Sequence, residues 1–250
     1  MYPTRISAVS YLNTIPFVYG IQTSGNSEDF DLSLDVPSLC AEKLRNHEVD
    51  IALVPAGAIP EMKDAEIIPG YCIGAVRQVR TVLLLSRKPL EEISTIHLDF
   101  DSKTSVRLVK VLVDKFWKIS PGWVNLGRGM AEHPVSIDSL VAIGDKTFDL
   151  VNNFPYVYDL AEEWIRYTEL PFVFAVWMAQ KDVPAEMVGK LNAALEFGIT
   201  HRQDAVAYYK SKIPAGIDAL EYLTKNISFE LDMQKQKGLE LFLTYLKELD

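Results

Sequence analysis

The chain has 250 residues, 48% of them hydrophobic and 24% charged, with a formal net charge of −9 at pH 7. That length suits one large domain or two compact lobes, and the acidic balance argues against nucleic acid or an anionic membrane surface as partner, since both reward basic patches. Two cysteines (Cys40 and Cys72) and four histidines (His47, His97, His133 and His201) stand in no metal-ligand or redox spacing, so no metal site is expected and a reduced protein is the simplest account.

In chain order, the recurring unit is a short apolar run, a small or polar turn, and then helical periodicity. RISAVSYLNTIP (5–16) is the first copy, with Asn13 or Thr14 able to cap a helix and Pro16 suited to its first turn. FDLSLDVP (30–37) alternates as a strand, and SLCAEKLRNHE after it reads as a helix capped by Ser38. VDIALVPAGAIP (49–60) is the second copy, turning at Pro55, Ala56 and Gly57. VRTVLLLS (79–86) is a strand, with Arg77 and Arg80 at its edge as solvated residues. STIHLDFDSKTSVRLVKVLVDKF (94–116) and SLVAIGDKTF (139–148) are the third and fourth copies, and the GRG at 127–129 between them reads as a turn.

YVYDLAEEWIRY (156–167) reads as helical through Leu160 and Trp164, and PFVFAVWMA (171–179) as a buried strand. Trp164, Phe172, Phe174 and Trp177 are assigned to the core. Two helices follow, with Val188, Leu191, Leu195 and Ile199 on one face of the first and Leu239, Phe242, Leu246 and Leu249 on one face of the second. This alternation indicates an α/β fold with largely parallel sheets. No signal peptide is expected from MYPTRISAVS and no apolar run could span a bilayer, which points to a cytoplasmic protein without membrane contact.

In such folds, ligands sit beyond the carboxyl ends of the strands. The turns there offer Asn13, Ser102, Thr104, Ser105 and Asp145 together with free N–H groups at helix starts. That set is rich in neutral donors and poor in strong bases and nucleophiles, so it suits the binding of carboxylates better than hydrolysis. Thr104 and Ser105 could equally be helix caps, Asp145 could cap the next helix, and Tyr11 could belong to the core.

VSYLNTIPF, VDIALVP, LDFDSKTSV, AIGD and LPFVFAVW, in this order over about residues 6–180, resemble the menaquinone-biosynthesis family of the futalosine route. The resemblance implies a two-lobed α/β, periplasmic-binding-protein-like (type II) fold with the ligand between the lobes, residues 1–88 and 178–250 forming one and 89–177 the other. It implies a cofactor-independent lyase that removes water from chorismate, a small-molecule substrate, to leave 3-[(1-carboxyvinyl)oxy]benzoate. A sister naphthoate synthase of the family and a solute-binding protein of the same fold are the competing expectations. The family's functional Asn falls on Asn13, and its hinge-strand Ser on Thr81, which keeps the hydroxyl but adds a methyl. These two are the implied catalytic residues. Tyr11, Ala56, Ser102, Thr104, Ser105 and Asp145 are the implied substrate-binding set. The family's Ser-Arg-Thr-Ser becomes Ser102-Lys103-Thr104-Ser105, which loses the bidentate fork of Arg, and its Gly before LPFVFA is Glu169.

Overall fold

The computed structural model describes residues 3–25, 27–99, 103–127 and 137–249. The chain begins with β1 (Thr4–Val9), a 3-10 turn (Leu12–Thr14) and α1 (Ile15–Thr23). Next come β2 (Phe30–Asp35), α2 (Pro37–Arg45), β3 (Ile51–Pro55), a 3-10 turn (Ala56–Glu61) and β4 (Ala65–Ala75). The chain then crosses to a second sheet at β5 (Val82–Ser86) and continues through β6 (Thr95–Leu98) into α3 (Lys103–Val111). A π-helical turn (Leu112–Trp117) prolongs α3, and β7 (Gly122–Asn125), β8 (Ser139–Ile143), α4 (Thr147–Leu150), β9 (Tyr156–Asp159) and α5 (Leu160–Thr168) follow. Finally β10 (Phe172–Gln180) re-enters the first sheet, ahead of α6 (Ala185–Thr200), α7 (Arg202–Tyr208), α8 (Ala219–Lys225), β11 (Ser228–Glu230) and α9 (Met233–Leu249).

Two lobes result, one around a six-stranded sheet of order β11-β4-β10-β3-β1-β2 and the other around a five-stranded sheet of order β7-β6-β8-β5-β9. The sheets are mixed, which corrects the expectation of largely parallel pairing. β1 runs parallel to β2 and β3, and β6 to β7 and β8, as strand–helix–strand units require. β10 and β5 are antiparallel to their neighbours. Each is the first strand after a crossing between lobes, so it enters its sheet without a crossover helix to fix a parallel direction. The crossings also place the lobe boundaries earlier than expected. All of β5 lies in the second sheet and all of β10 in the first, so the handovers fall at 76–81 and 169–171 rather than at 88 and 178.

Local signals explain other differences. α2 starts at Pro37 with Val36 before it and no side-chain cap, so Ser38 lies inside the helix rather than capping it. Residues 156–159 form a strand rather than the start of a helix, because Asp159 caps α5 by accepting from the N–H groups of Ala161 and Glu162. Glu169 closes that helix in the left-handed region at φ 59°, a conformation that glycine adopts without cost. The expected family Gly falls on this residue.

All nine residues of β10 are buried, and Phe172, Trp164 and Phe242 meet edge to face beside it. Trp177 packs likewise on Phe17. Behind the first sheet α1 and α6 cross so closely that a Cβ on Gly198 would lie 1.8 Å from the Pro16 carbonyl oxygen. Among the described residues no helix is long and apolar enough to cross a membrane.

Candidate functional site

Between the lobes lies a cavity. The first lobe contributes the ends of β1 and β3, the start of α2 and part of β10. The second contributes the start of α3 and the turn after β8, while Val79 and Thr81 of the crossing and Val82 at the start of β5 close the back.

Asn13 and Thr14 do not cap α1 with their side chains. The Thr14 hydroxyl turns back onto the carbonyls of Val9 and Tyr11, which fixes the turn after β1. Asn13 is left on the cavity wall with its Oδ1 buried and without a hydrogen-bond partner among the described residues. A buried amide oxygen left unpaired costs on the order of 1–3 kcal/mol unless a bound group satisfies it. This is the physical mark of a ligand-facing position.

Thr81 is buried at the back wall. Its hydroxyl lies 2.8 Å from the Tyr222 hydroxyl and 3.5 Å from the Val79 carbonyl oxygen. The strand segment carrying it is held from both sides. Gly144 donates its N–H to the Thr81 carbonyl at 2.9 Å, and the Arg80 N–H donates to the Asp159 carboxylate at 2.7 Å.

On the opposite wall stand Lys103, Thr104 and Ser105 of α3. Thr104 uses its hydroxyl between lobes, accepting from the Gly57 N–H at 3.0 Å and donating to the Phe174 carbonyl at 3.1 Å. Lys103 pairs with Glu61 of the first lobe at 2.7 Å, and Arg107 donates to the Gly57 carbonyl at 2.7 Å. α2 also faces the cavity and starts without a side-chain cap; Pro37 has no N–H and the Leu39 and Cys40 N–H groups donate to the Val36 carbonyl, so the Ser38 N–H and the partial positive charge of the helix are what favour an anion there.

The cavity therefore brings together Tyr11, Asn13, Thr81, Thr104 and Ser105 of the expected set. Ala56 and Asp145 stand beside it and are not part of its wall. Asp145 neither caps α4 nor faces the cavity; both its oxygens accept from the Leu12 N–H at 3.2 Å, joining the lobes at the mouth. Burial pushes its carboxyl above the ordinary range, against the pull of that N–H. Ser102 lies outside the described residues, as do His133 and the second and third residues of the GRG turn.

Sequence reasoning missed the apolar wall made by Leu53, Ile73, Val82, Ile143 and Phe174. Phe174, assigned to the core, faces the cavity with its flank. No residue type marks these positions; only the tertiary packing of their strands does. Among the described lining residues the ionisable side chains are Tyr11 and Lys103, with no histidine, cysteine or carboxylate. Nor do the described residues hold a group of three His, Cys, Asp or Glu side chains able to bind a metal.

An acid at the end of β9, held against the crossing, is perturbed. Burial pushes the Asp159 carboxyl up to about 6, although the N–H groups of Arg80, Val79, Glu162 and Ala161 bind its charged form. A carboxyl raised in the folded state favours folding at low pH. Its contribution is complete below about pH 4 and is lost as pH rises through about 6, on the order of 3 kcal/mol in all. Asp159→Asn removes this titration. The parent should therefore lose stability relative to the variant between pH 4.5 and 7.5 in paired urea melts, and parallel pH profiles would contradict it.

The chain matches a family model described as menaquinone biosynthesis over residues 4–248. It is 24% identical to a chorismate dehydratase of Thermus thermophilus, over 97% of this chain and 94% of that one. Among solved structures, a protein of Archaeoglobus fulgidus superposes with a TM-score of 0.77 at 15% identity, covering 100% of this chain and 99% of that one. The alkanesulfonate-binding protein SsuA of Xanthomonas axonopodis superposes at 0.67 and 14%, covering 100% and 94%. A Candida albicans protein described as having the generic periplasmic binding protein fold does so at 0.67 and 12%, covering 98% and 91%. The two lobes thus form a periplasmic-binding-protein-like fold.

Proposed function

Since the chain belongs to the menaquinone biosynthesis family, we propose that it is a chorismate dehydratase, eliminating water from chorismate to give 3-[(1-carboxyvinyl)oxy]benzoate. The observation that carries this reading is the cavity wall: a partnerless Asn13 amide oxygen and a buried Thr81 hydroxyl, with no histidine or carboxylate among the described lining residues. Chorismate carries two carboxylates, an enol ether and a ring hydroxyl. The hydroxyl and the hydrogen of the neighbouring ring carbon leave together as water, and the ring becomes aromatic. No electron acceptor is needed.

Such a reaction has a large driving force and asks mainly for positioning, which can be worth ~7–11 kcal/mol when the reacting groups are held in near-attack geometry. The substrate's own side-chain carboxylate is the base in this reading, because the described lining residues include no histidine or carboxylate. Asn13 and Thr81 orient that carboxylate and stabilise the departing hydroxyl. Ser105 and the start of α2 hold the other anionic end, while Phe174 and Ile73 flank the ring.

Purified protein, pretreated with a chelator and given chorismate alone, is expected to form a product lighter by one water, followed by mass spectrometry. Chorismate recovered unchanged, or conversion that returns only with added metal, would overturn the reading. Tight binding without conversion would make the protein a carboxylate-binding module instead.

A further inference from the structure

We propose that Tyr222, on α8 of the carboxy-terminal segment, is a positioning residue that turns the Thr81 hydroxyl into a donor aimed at the cavity. The inference rests on the dehydratase reading above. Tyr222 is fully buried, and its hydroxyl lies 2.8 Å from Thr81 Oγ1 across 141 residues of sequence. Its ring is fixed edge to face on Phe148 at 5.5 Å, so the hydroxyl has little freedom to seek another partner.

The direction of the bond follows from what each hydroxyl can do. A buried phenol must place its proton on an acceptor or leave it unpaired. Burial raises the Tyr222 pKa well above its ordinary value, so the phenol keeps that proton. When Tyr222 donates, one lone pair of Thr81 is filled and the Thr81 proton points elsewhere. The alternative within the protein is the Val79 carbonyl at 3.5 Å, at the limit of a hydrogen bond. An anionic oxygen in the cavity outcompetes it, because hydrogen bonds to charged acceptors are about twice as strong. Without the Tyr222 hydroxyl, Thr81 can turn its proton away from the cavity.

The crossing segment is held in the same place by other groups. Asn226, four residues along from Tyr222, donates to the Gln78 carbonyl at 3.0 Å, while Thr147 of the second lobe donates to the Arg80 carbonyl at 3.2 Å. Loss of the Tyr222 hydroxyl therefore leaves the backbone of Thr81 where it is and changes only the side-chain bond.

The test is a double-mutant cycle on chorismate turnover. Tyr222→Phe keeps the ring packing, and kcat is expected to fall ~10-fold with KM within ~3-fold of the parent. Thr81→Val should lose at least as much. Residues that act through one another are not additive, so Thr81→Val/Tyr222→Phe should be no slower than Thr81→Val. Its Tm should also be higher than that of Thr81→Val, whose Tyr222 hydroxyl is buried without a partner. Losses that multiply in the double variant, or a Tyr222→Phe kcat equal to the parent, would overturn the inference and leave the dehydratase reading standing. A parent inert towards chorismate would remove both.

Discussion

An Asn13→Ala variant is expected to turn over chorismate ~10²–10³-fold more slowly than the parent, a loss typical of removing one preorganised donor to a reacting anion. The deficit should appear in kcat, because the amide acts on the geometry of the reacting carboxylate and on the departing hydroxyl rather than on the grip of the whole substrate. Folding should be spared. The Asn13 side chain caps no helix, and its Oδ1 has no partner to lose among the described residues. Removing a buried unpaired oxygen can even raise Tm slightly.

Asn13→Asp separates orientation from size. It keeps the shape, replaces the NH₂ donor by an oxygen, and sets a negative charge against an anionic substrate. Both kcat and KM should worsen, so kcat/KM falls below that of Asn13→Ala. A parental kcat in Asn13→Ala, measured on protein with a parental Tm, would remove Asn13 from the mechanism.

Asn13 was legible from its place just past β1, because an apolar run ending in a polar turn is a local signal. Thr104 and Ser105 were legible in the same way. Asp145, expected among the substrate contacts from its turn beyond β8, turns both oxygens to the Leu12 N–H, 133 residues away, a partner no local pattern marks. Tyr222 gave no signal at all, since its local pattern is that of any core aromatic and its role depends on a contact 141 residues distant.

The strands show the same division. β3 and β8 are buried throughout and apolar except for Ser139, so their sequence pattern is plain. β4 was missed. Its first half is mostly exposed, Pro69 and Gly70 interrupt it, and its pairing with β10 shifts register, so no period of two survives. The lobe boundaries went astray because β5 and β10 are apolar enough for either sheet, and only the tertiary pairing assigns them.

Gly57→Ala should act on the seam between the lobes, lowering kcat/KM by ~10²-fold, the scale of a displacement of about 1 Å at a reacting centre. Gly57 lies in the 3-10 turn of the first lobe, directly against the start of α3 in the second. A Cβ there would come within 2.8 Å of the Lys103 carbonyl oxygen and 2.9 Å of Thr104 Cα. Both are backbone atoms, with no flexible tip to swing aside, so the lobes must part or α3 must withdraw. Parting them stretches two further bonds, from the Gly57 N–H to Thr104 and from Arg107 to the Gly57 carbonyl. It also moves Thr104 and Ser105 away from Asn13.

Glu61→Gln is the matched control at the same seam. It weakens the Lys103–Glu61 pair, whose side chains are about one-third exposed, and pairs of that kind contribute roughly 0–1 kcal/mol. Its kcat/KM should stay within ~5-fold of the parent, since that range of free energy corresponds to a factor of about five at most. Small-angle scattering supplies the geometric readout. Gly57→Ala should show a larger radius of gyration than the parent in the presence of chorismate, and Glu61→Gln should not. If the two variants lose activity equally, the ion pair and not the backbone contact holds the lobes together. If Gly57→Ala matches the parent in both activity and radius, the contact at Gly57 has no part in shaping the cavity.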